Sequence, residues 1–178
     1  KTVSFTDPDG VLNQTEYTQP CMVAFAAGMT AILYQMGIRP AYAAGLSLGE
    51  YSALQAAGVF TPAQAISLAA FRGKAMASAC AGMACGMTAV LGLDREKLQQ
   101  ACTQAAELGV VEIANYNCPG QLVIAGQKEA VDKASALAKE LGAKRCLPLK
   151  VSGPFHTSLL HPAGDALREK FQEVTFGP

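Results

Sequence analysis

The chain has 178 residues, 51% of them apolar and 16% charged, and its 14 basic and 14 acidic side chains give a formal charge of zero. The length fits one domain, or a core with an insertion, and the apolar share excludes a disordered chain. With no basic excess, no Trp and 7% aromatics, nucleic-acid binding is not expected.

Apolar stretches are broken by Gln, Thr, Arg or Gly short of the ~20 residues a membrane span needs, so no membrane association is expected. No basic, apolar leader is read at the start, and the expected location is the cytoplasm. The cysteines (Cys21, Cys80, Cys85, Cys102, Cys118 and Cys146) form no C-x-x-C pair, and the two histidines offer no zinc spacing. Free thiols and no metal are therefore expected.

In chain order, residues 1–14 read as irregular. Thr18 is placed to cap a helix with Pro20 in its first turn. Val23, Ala26, Ala27, Thr30, Leu33 and Met36 recur at helical spacing, and Gly37 ends the run. Residues 41–44 are a short apolar stretch compatible with a buried strand or with helix. Gly45-Leu46-Ser47-Leu48-Gly49 follows, then a helical run over 50–57. Thr61-Pro62-Ala63-Gln64 is a capping box opening a helix to about residue 79. Ala65, Leu68, Ala69 and Met76 share one face of that helix, and Arg72 falls inside the apolar stripe.

From residue 82 the pattern changes. Residues 87–93 read as a strand and 94–108 as a helix capped by Asp94. A strand over 110–115, a turn at Asn117-Cys118-Pro119-Gly120 and a strand over 121–126 form a hairpin. A helix over 128–141 and a strand over 144–151 complete the order βαββαβ, the ferredoxin-like unit. It reads as a subdomain inserted into a larger α/β layer structure. A closing helix begins near Leu159, with Leu160, Ala163, Leu167 and Phe171 on one face.

Gly45-x-Ser47-x-Gly49 before a helix is a nucleophile-elbow pattern: small flanking residues permit a sharp turn that lifts the serine Oγ into the open. The Leu48 N–H at the helix start can help bind an oxyanion. A serine needs a base, and only His156 and His161 are available. His156, in a Gly-Pro loop beyond a strand, is favoured over His161 at a helix start. No aspartate stands out as an orienting acid. Arg72 reads either as a snorkelling side chain or as a buried guanidinium awaiting a carboxylate, which it can hold bidentately.

These motifs carry a resemblance. Gly45-Leu46-Ser47-Leu48-Gly49-Glu50-Tyr51-Ser52-Ala53-Leu54 closely resembles the active-site segment of the malonyl-CoA:acyl-carrier-protein transacylase family. Leu12-Asn13-Gln14-Thr15-Glu16-Tyr17-Thr18-Gln19-Pro20, Phe71-Arg72-Gly73-Lys74-Ala75-Met76, Ala114-Asn115-Tyr116-Asn117-Cys118-Pro119-Gly120-Gln121 and Val151-Ser152-Gly153-Pro154-Phe155-His156 agree in the same order. The resemblance implies Ser47 as nucleophile, His156 as general base and then acid, and Arg72 as the clamp on the malonyl carboxylate. The Leu48 N–H would supply half of the oxyanion hole. Phe155 stands where the family selects its acyl group. Asn115, Asn117 and Met76 are implied as further substrate-binding residues, although Asn115 and Asn117 read equally well as turn residues.

The implied fold is a hydrolase-like parallel-sheet α/β core, residues 1–81 and 153–178, with the ferredoxin-like subdomain over 82–152. The implied reaction is ping-pong transfer of malonyl from a coenzyme A thioester to acyl carrier protein in fatty-acid synthesis, with no cofactor. A polyketide-synthase-type acyltransferase is the nearest alternative, and a non-catalytic carrier-protein-binding scaffold the alternative from another class. A plain esterase is disfavoured, because it has no use for Arg72. Leu46 stands where the family usually carries His. The family's amino-terminal Gly-Gln-Gly strand and its carboxy-terminal part are not found, so a fragment of the family domain is expected.

Overall fold

The computed structural model describes residues 2–177. The architecture is mixed helix and sheet: α1 (Thr2–Phe5), α2 (Thr15–Gln35), α3 (Leu48–Ala56), α4 (Pro62–Ala79), β1 (Cys85–Leu91), α5 (Arg95–Ala105), β2 (Val111–Cys118), β3 (Gln121–Gln127), α6 (Lys128–Glu140), β4 (Arg145–Pro148) and α7 (His161–Phe171). It divides into two compact units. One comprises the chain up to Ala75 together with the stretch from Asp165, the other Met76–Gly164.

The first unit is helical. α2 begins at Thr15, with Gln14 before it and no side-chain cap. Thr18 is therefore inside the helix, where its hydroxyl donates back to the Gln14 carbonyl at 3.0 Å and to Leu12 O. Pro20 follows within the same helix, past its first turn. The buried stripe of α2 is Thr15, Gln19, Val23 and Ala27, each four residues on from the last. The expected continuation through Leu33 and Met36 is solvent-exposed, as are Met22, Phe25 and Ile32.

The Thr61–Gln64 capping box forms as read: Gln64 N–H donates to Thr61 Oγ1 at 3.2 Å, and Thr61 N–H to Gln64 Oε1 at 2.9 Å. Val23, Tyr51, Phe60, Ala65, Leu68 and Ala69 make the core of this unit, with Phe171 and Val174 packed against it. Residues 41–44 are exposed and irregular, neither strand nor helix. A strand needs a neighbour to pair its backbone, and among the described residues every strand lies in the other unit. The parallel sheet expected of the core thus has no strand here.

The second unit is an antiparallel four-stranded sheet in the order β2-β3-β1-β4. β1 pairs β3 from Cys85↔Gln127 to Leu91↔Gln121, and β4 from Thr88↔Pro148 to Leu91↔Arg145. This is the βαββαβ arrangement. Asp94 caps α5 by accepting from Lys97 N–H at 2.9 Å. Leu98 and Cys102 of α5 and Val131 of α6 cover Val90, Leu122 and Ile124 on one face of the sheet. Met87, Ala89, Val123 and Ala125 face the other way and receive Phe155. That alternation follows from the period of two along each strand.

β2 runs further than expected. Asn115 and Asn117 lie in the strand, not in a turn; the hairpin turn shrinks to Pro119 and Gly120. Register shifts between Ile113 and Asn115, and between Tyr116 and Cys118, let the strand continue through its polar end. β4 is short, and residues 149–157 form the loop bearing His156.

Candidate active site

Gly45 begins the elbow. A Cβ there would stand 2.0 Å from the Gly49 carbonyl carbon and 2.3 Å from Glu50 N, so only glycine lets the chain fold back on α3. Gly49 has open space around it, and the motif's second glycine is not required by packing. The turn leaves Ser47 at φ 53°, ψ −107°, outside the ordinary regions for an L side chain. Such a conformation costs ~1–3 kcal/mol and persists only when neighbours enforce it. α3 starts at Leu48, whose N–H is one of the four that a helix leaves without an intrahelical partner.

Arg72 reaches Ser47 from α4. Its Nη2 donates to Ser47 Oγ at 2.9 Å, and its Nη1 donates to Gln19 Oε1 at 2.6 Å. Gln19 is fixed in turn, because its Nε2 donates to Thr15 Oγ1 at 2.7 Å. The guanidinium carbon also lies 5.6 Å from the centre of the Tyr51 ring, within cation–π range. Arg72 is 9% exposed. Burial pulls its pKa down from the usual arginine range, while Tyr51 and Glu50 act in the other direction. It remains a cation, since arginine does not deprotonate in proteins. Burial likewise raises the Tyr51 phenol, against the opposing charge of Arg72.

Among the described residues no carboxylate pairs with Arg72. Its bonded and stacked partners are an amide, a hydroxyl and a ring face. A buried charge hydrogen-bonded only to neutral groups is costly and favours an anion.

Gly73, next in sequence, makes this approach possible. A Cβ at Gly73 would lie 2.7 Å from Glu16 Cα and 2.8 Å from Thr15 O. α4 thus touches the backbone of α2 one turn before Gln19. Sequence reasoning passed over Gln19, Gly73 and Tyr51 as site residues. The signal for Gln19 was available: Thr15 and Gln19 are polar residues heading the stripe that continues into Val23 and Ala27.

The remaining candidates belong to the second unit. Met76 is buried in α4, one turn on from Arg72. Phe155 packs on the open face of the sheet, where Asn115 pairs across to Val123. Asn117 is exposed near the end of β2. His156 is exposed on its loop with φ 64°, and His161 is the exposed first residue of α7.

All six cysteines are free. Burial raises the thiols of Cys80, Cys85 and Cys146, and pushes Cys102 up to about 11, with Glu112 adding to the effect. Those four are poor nucleophiles at neutral pH. Among the described residues no side-chain cluster fits a metal ion, and no helix is long and apolar enough to cross a membrane.

Residues 3–177 match the acyl transferase domain family. The malonyl CoA-acyl carrier protein transacylase of Salmonella typhimurium is 46% identical over 170 residues, which are 95% of this chain and 55% of that protein. The acyl carrier protein S-malonyltransferase of Vibrio cholerae has the same fold, with a TM-score of 0.93 at 45% identity over 99% of this chain and 58% of that one. A malonyl-transacylase in complex with its type II PKS acyl-carrier protein gives 0.94 at 42% identity, over 99% and 57%. The chain spans about half the length of the curated relatives it matches.

Proposed function

Because the chain belongs to the acyl transferase domain family, we propose that the intact protein moves a malonyl group from coenzyme A to the phosphopantetheine thiol of an acyl carrier protein, by way of an ester on Ser47. The observation that carries this reading is the buried guanidinium of Arg72, held 2.9 Å from Ser47 Oγ and, among the described residues, in no salt bridge with a carboxylate. An acyl group ending in a free carboxylate supplies the missing charge. A charge-assisted, bidentate pair there fixes the far end of the acyl chain relative to the nucleophile.

In the first half-reaction Ser47 Oγ attacks the thioester carbonyl and its proton passes to His156. The Leu48 N–H, aligned with the start of α3, donates to the oxyanion as negative charge develops. The intermediate collapses with cleavage of the C–S bond, and the coenzyme A thiol leaves with the proton from His156. In the second half-reaction the carrier-protein thiol gives its proton to His156 and attacks the ester. Ser47 then leaves and recovers its proton. In this reading Phe155, Asn115, Asn117 and Met76 are further substrate-binding residues. The reaction as written needs no resident cofactor and suits a cytoplasmic enzyme of fatty-acid synthesis.

Intact-protein mass spectrometry after brief mixing with malonyl-CoA tests it. A malonyl adduct on the peptide containing Ser47, discharged by holo acyl carrier protein, is the expected result. No adduct, or one elsewhere, overturns the reading.

A further inference from the structure

The loop that carries His156 is tied back to the sheet by a side chain far from it in sequence. Glu112 stands on β2 opposite Ala125, on the face that receives Phe155. Both oxygens of its carboxylate are used on one residue, 46 positions away. Ser158 N–H donates to Oε2 at 2.8 Å, and Ser158 Oγ–H to Oε1 at 2.7 Å. Two bonds to two groups of the same residue fix its rotation as well as its distance.

On the other side of His156, Phe155 packs on the sheet and Pro154 is fully buried. Thr157 is buried too, its hydroxyl donating to the Pro154 carbonyl at 2.7 Å. His156 therefore sits between two fixed neighbours, with φ 64°. A non-glycine residue holds that conformation only where the surroundings enforce it. Charge on the clamp strengthens it, since bonds to an ionised acceptor are roughly twice as strong as neutral ones.

We propose that Glu112 is a positioning residue for His156: its two-point hold on Ser158 keeps the histidine backbone in the left-handed conformation from which the imidazole works. This rests on the reading of His156 as the base. Glu112 touches neither substrate nor reacting atoms; it acts through the loop.

The test uses the intact protein and the rate of Ser47 acylation by malonyl-CoA, with kcat and KM resolved. Glu112→Ala is expected to lower kcat ~10- to 100-fold, the cost of displacing a catalytic group by about an ångström, with KM changed less than ~2-fold. In a His156→Ala background the same substitution is expected to cost less than ~2-fold, because the group it positions is gone. A merely structural glutamate would depress both backgrounds alike, and that result overturns the proposal.

Glu112→Gln keeps one acceptor oxygen and the side-chain volume, so it serves if the alanine variant does not fold. It is expected to lose ~3- to 10-fold in kcat, again only when His156 is present. A Glu112→Gln protein of unaltered kcat, with His156→Ala strongly impaired, overturns the proposal and leaves the base assignment standing. Full acylation by His156→Ala overturns the base assignment, and this proposal with it.

Discussion

The two units bury their interiors in different ways. In the sheet unit, α5 and α6 cover one face and the Phe155 loop packs on the other, and the interior is apolar but for Thr88 and Thr157 among the described residues. In the helical unit, Val23 and Leu68 are buried while Met22, Phe25, Ile32 and Met36 stay in solvent. Among its buried side chains is a cation, held by Gln19, Ser47 and Tyr51. The sheet unit owes its shape to apolar burial. The helical unit arranges polar groups around a charge, and Ser47 sits on strained backbone. Stability and chemistry thus rest on different residues, and substitutions should separate them.

The sharpest break is at Ser47. Ser47→Ala should lower acyl transfer by ~10⁴- to 10⁶-fold, as loss of a nucleophile does. Its melting curve should move by less than ~1 kcal/mol, because the side chain adds little packing. A malonyl adduct on this variant, seen by intact mass, would place the nucleophile elsewhere.

Leu98→Ala should do the reverse. Leu98 is 0% exposed beneath the sheet, and its truncation should cost ~3–5 kcal/mol of stability. Urea unfolding reads that cost, while kcat/KM of the folded fraction stays at the wild-type value. A loss below ~1 kcal/mol would mean that the sheet unit is not held by its apolar core.

Arg72→Ala sharpens the contrast inside the helical unit. Removing one partner of a buried charge pair costs ~2–5 kcal/mol, or ~30- to 5,000-fold in kcat/KM for malonyl-CoA. Acetyl-CoA carries no carboxylate and should be spared, or gain. Equal losses for the two thioesters would make Arg72 a scaffold residue.

The smallest effect is expected on the surface of the sheet unit. Lys128 pairs with Asp132 one turn along α6, and both are more than half exposed. Lys128→Ala should cost no more than ~0.5 kcal/mol, less in high salt. Thermal melts at two ionic strengths would show it, and a larger, salt-insensitive cost would shift part of the unit's stability onto its surface.

The same contrast governs what could be read from the sequence. The sheet unit was legible because its strands and helices obey periods of 2 and 3.6 and are punctuated by Asp94 and Gly120. Its misread part was the end of β2, where bulges carry the strand on through Asn117 and Cys118; propensity sees Asn-Cys-Pro-Gly and offers a turn. In the helical unit, Thr18 looked like a cap, but tertiary burial of Thr15 and Gln19 draws the helix start earlier. The elbow and the oddity of Arg72 on an apolar stripe were visible locally. Its partner was not, because Gln19 meets Arg72 only through the close helix approach at Gly73, a contact between residues 53 apart.

Gln19 offers Arg72 an oxygen but no charge. In genetic terms that neutrality is fragile, since glutamine and glutamate codons differ by a single base. A lineage carrying glutamate at position 19 would furnish the guanidinium with a permanent internal counterion. The guanidinium would then have no electrostatic reason to prefer an acyl group that brings its own. On the proposed reading, the acyl preference of such an enzyme would rest on one nucleotide in the codon for residue 19.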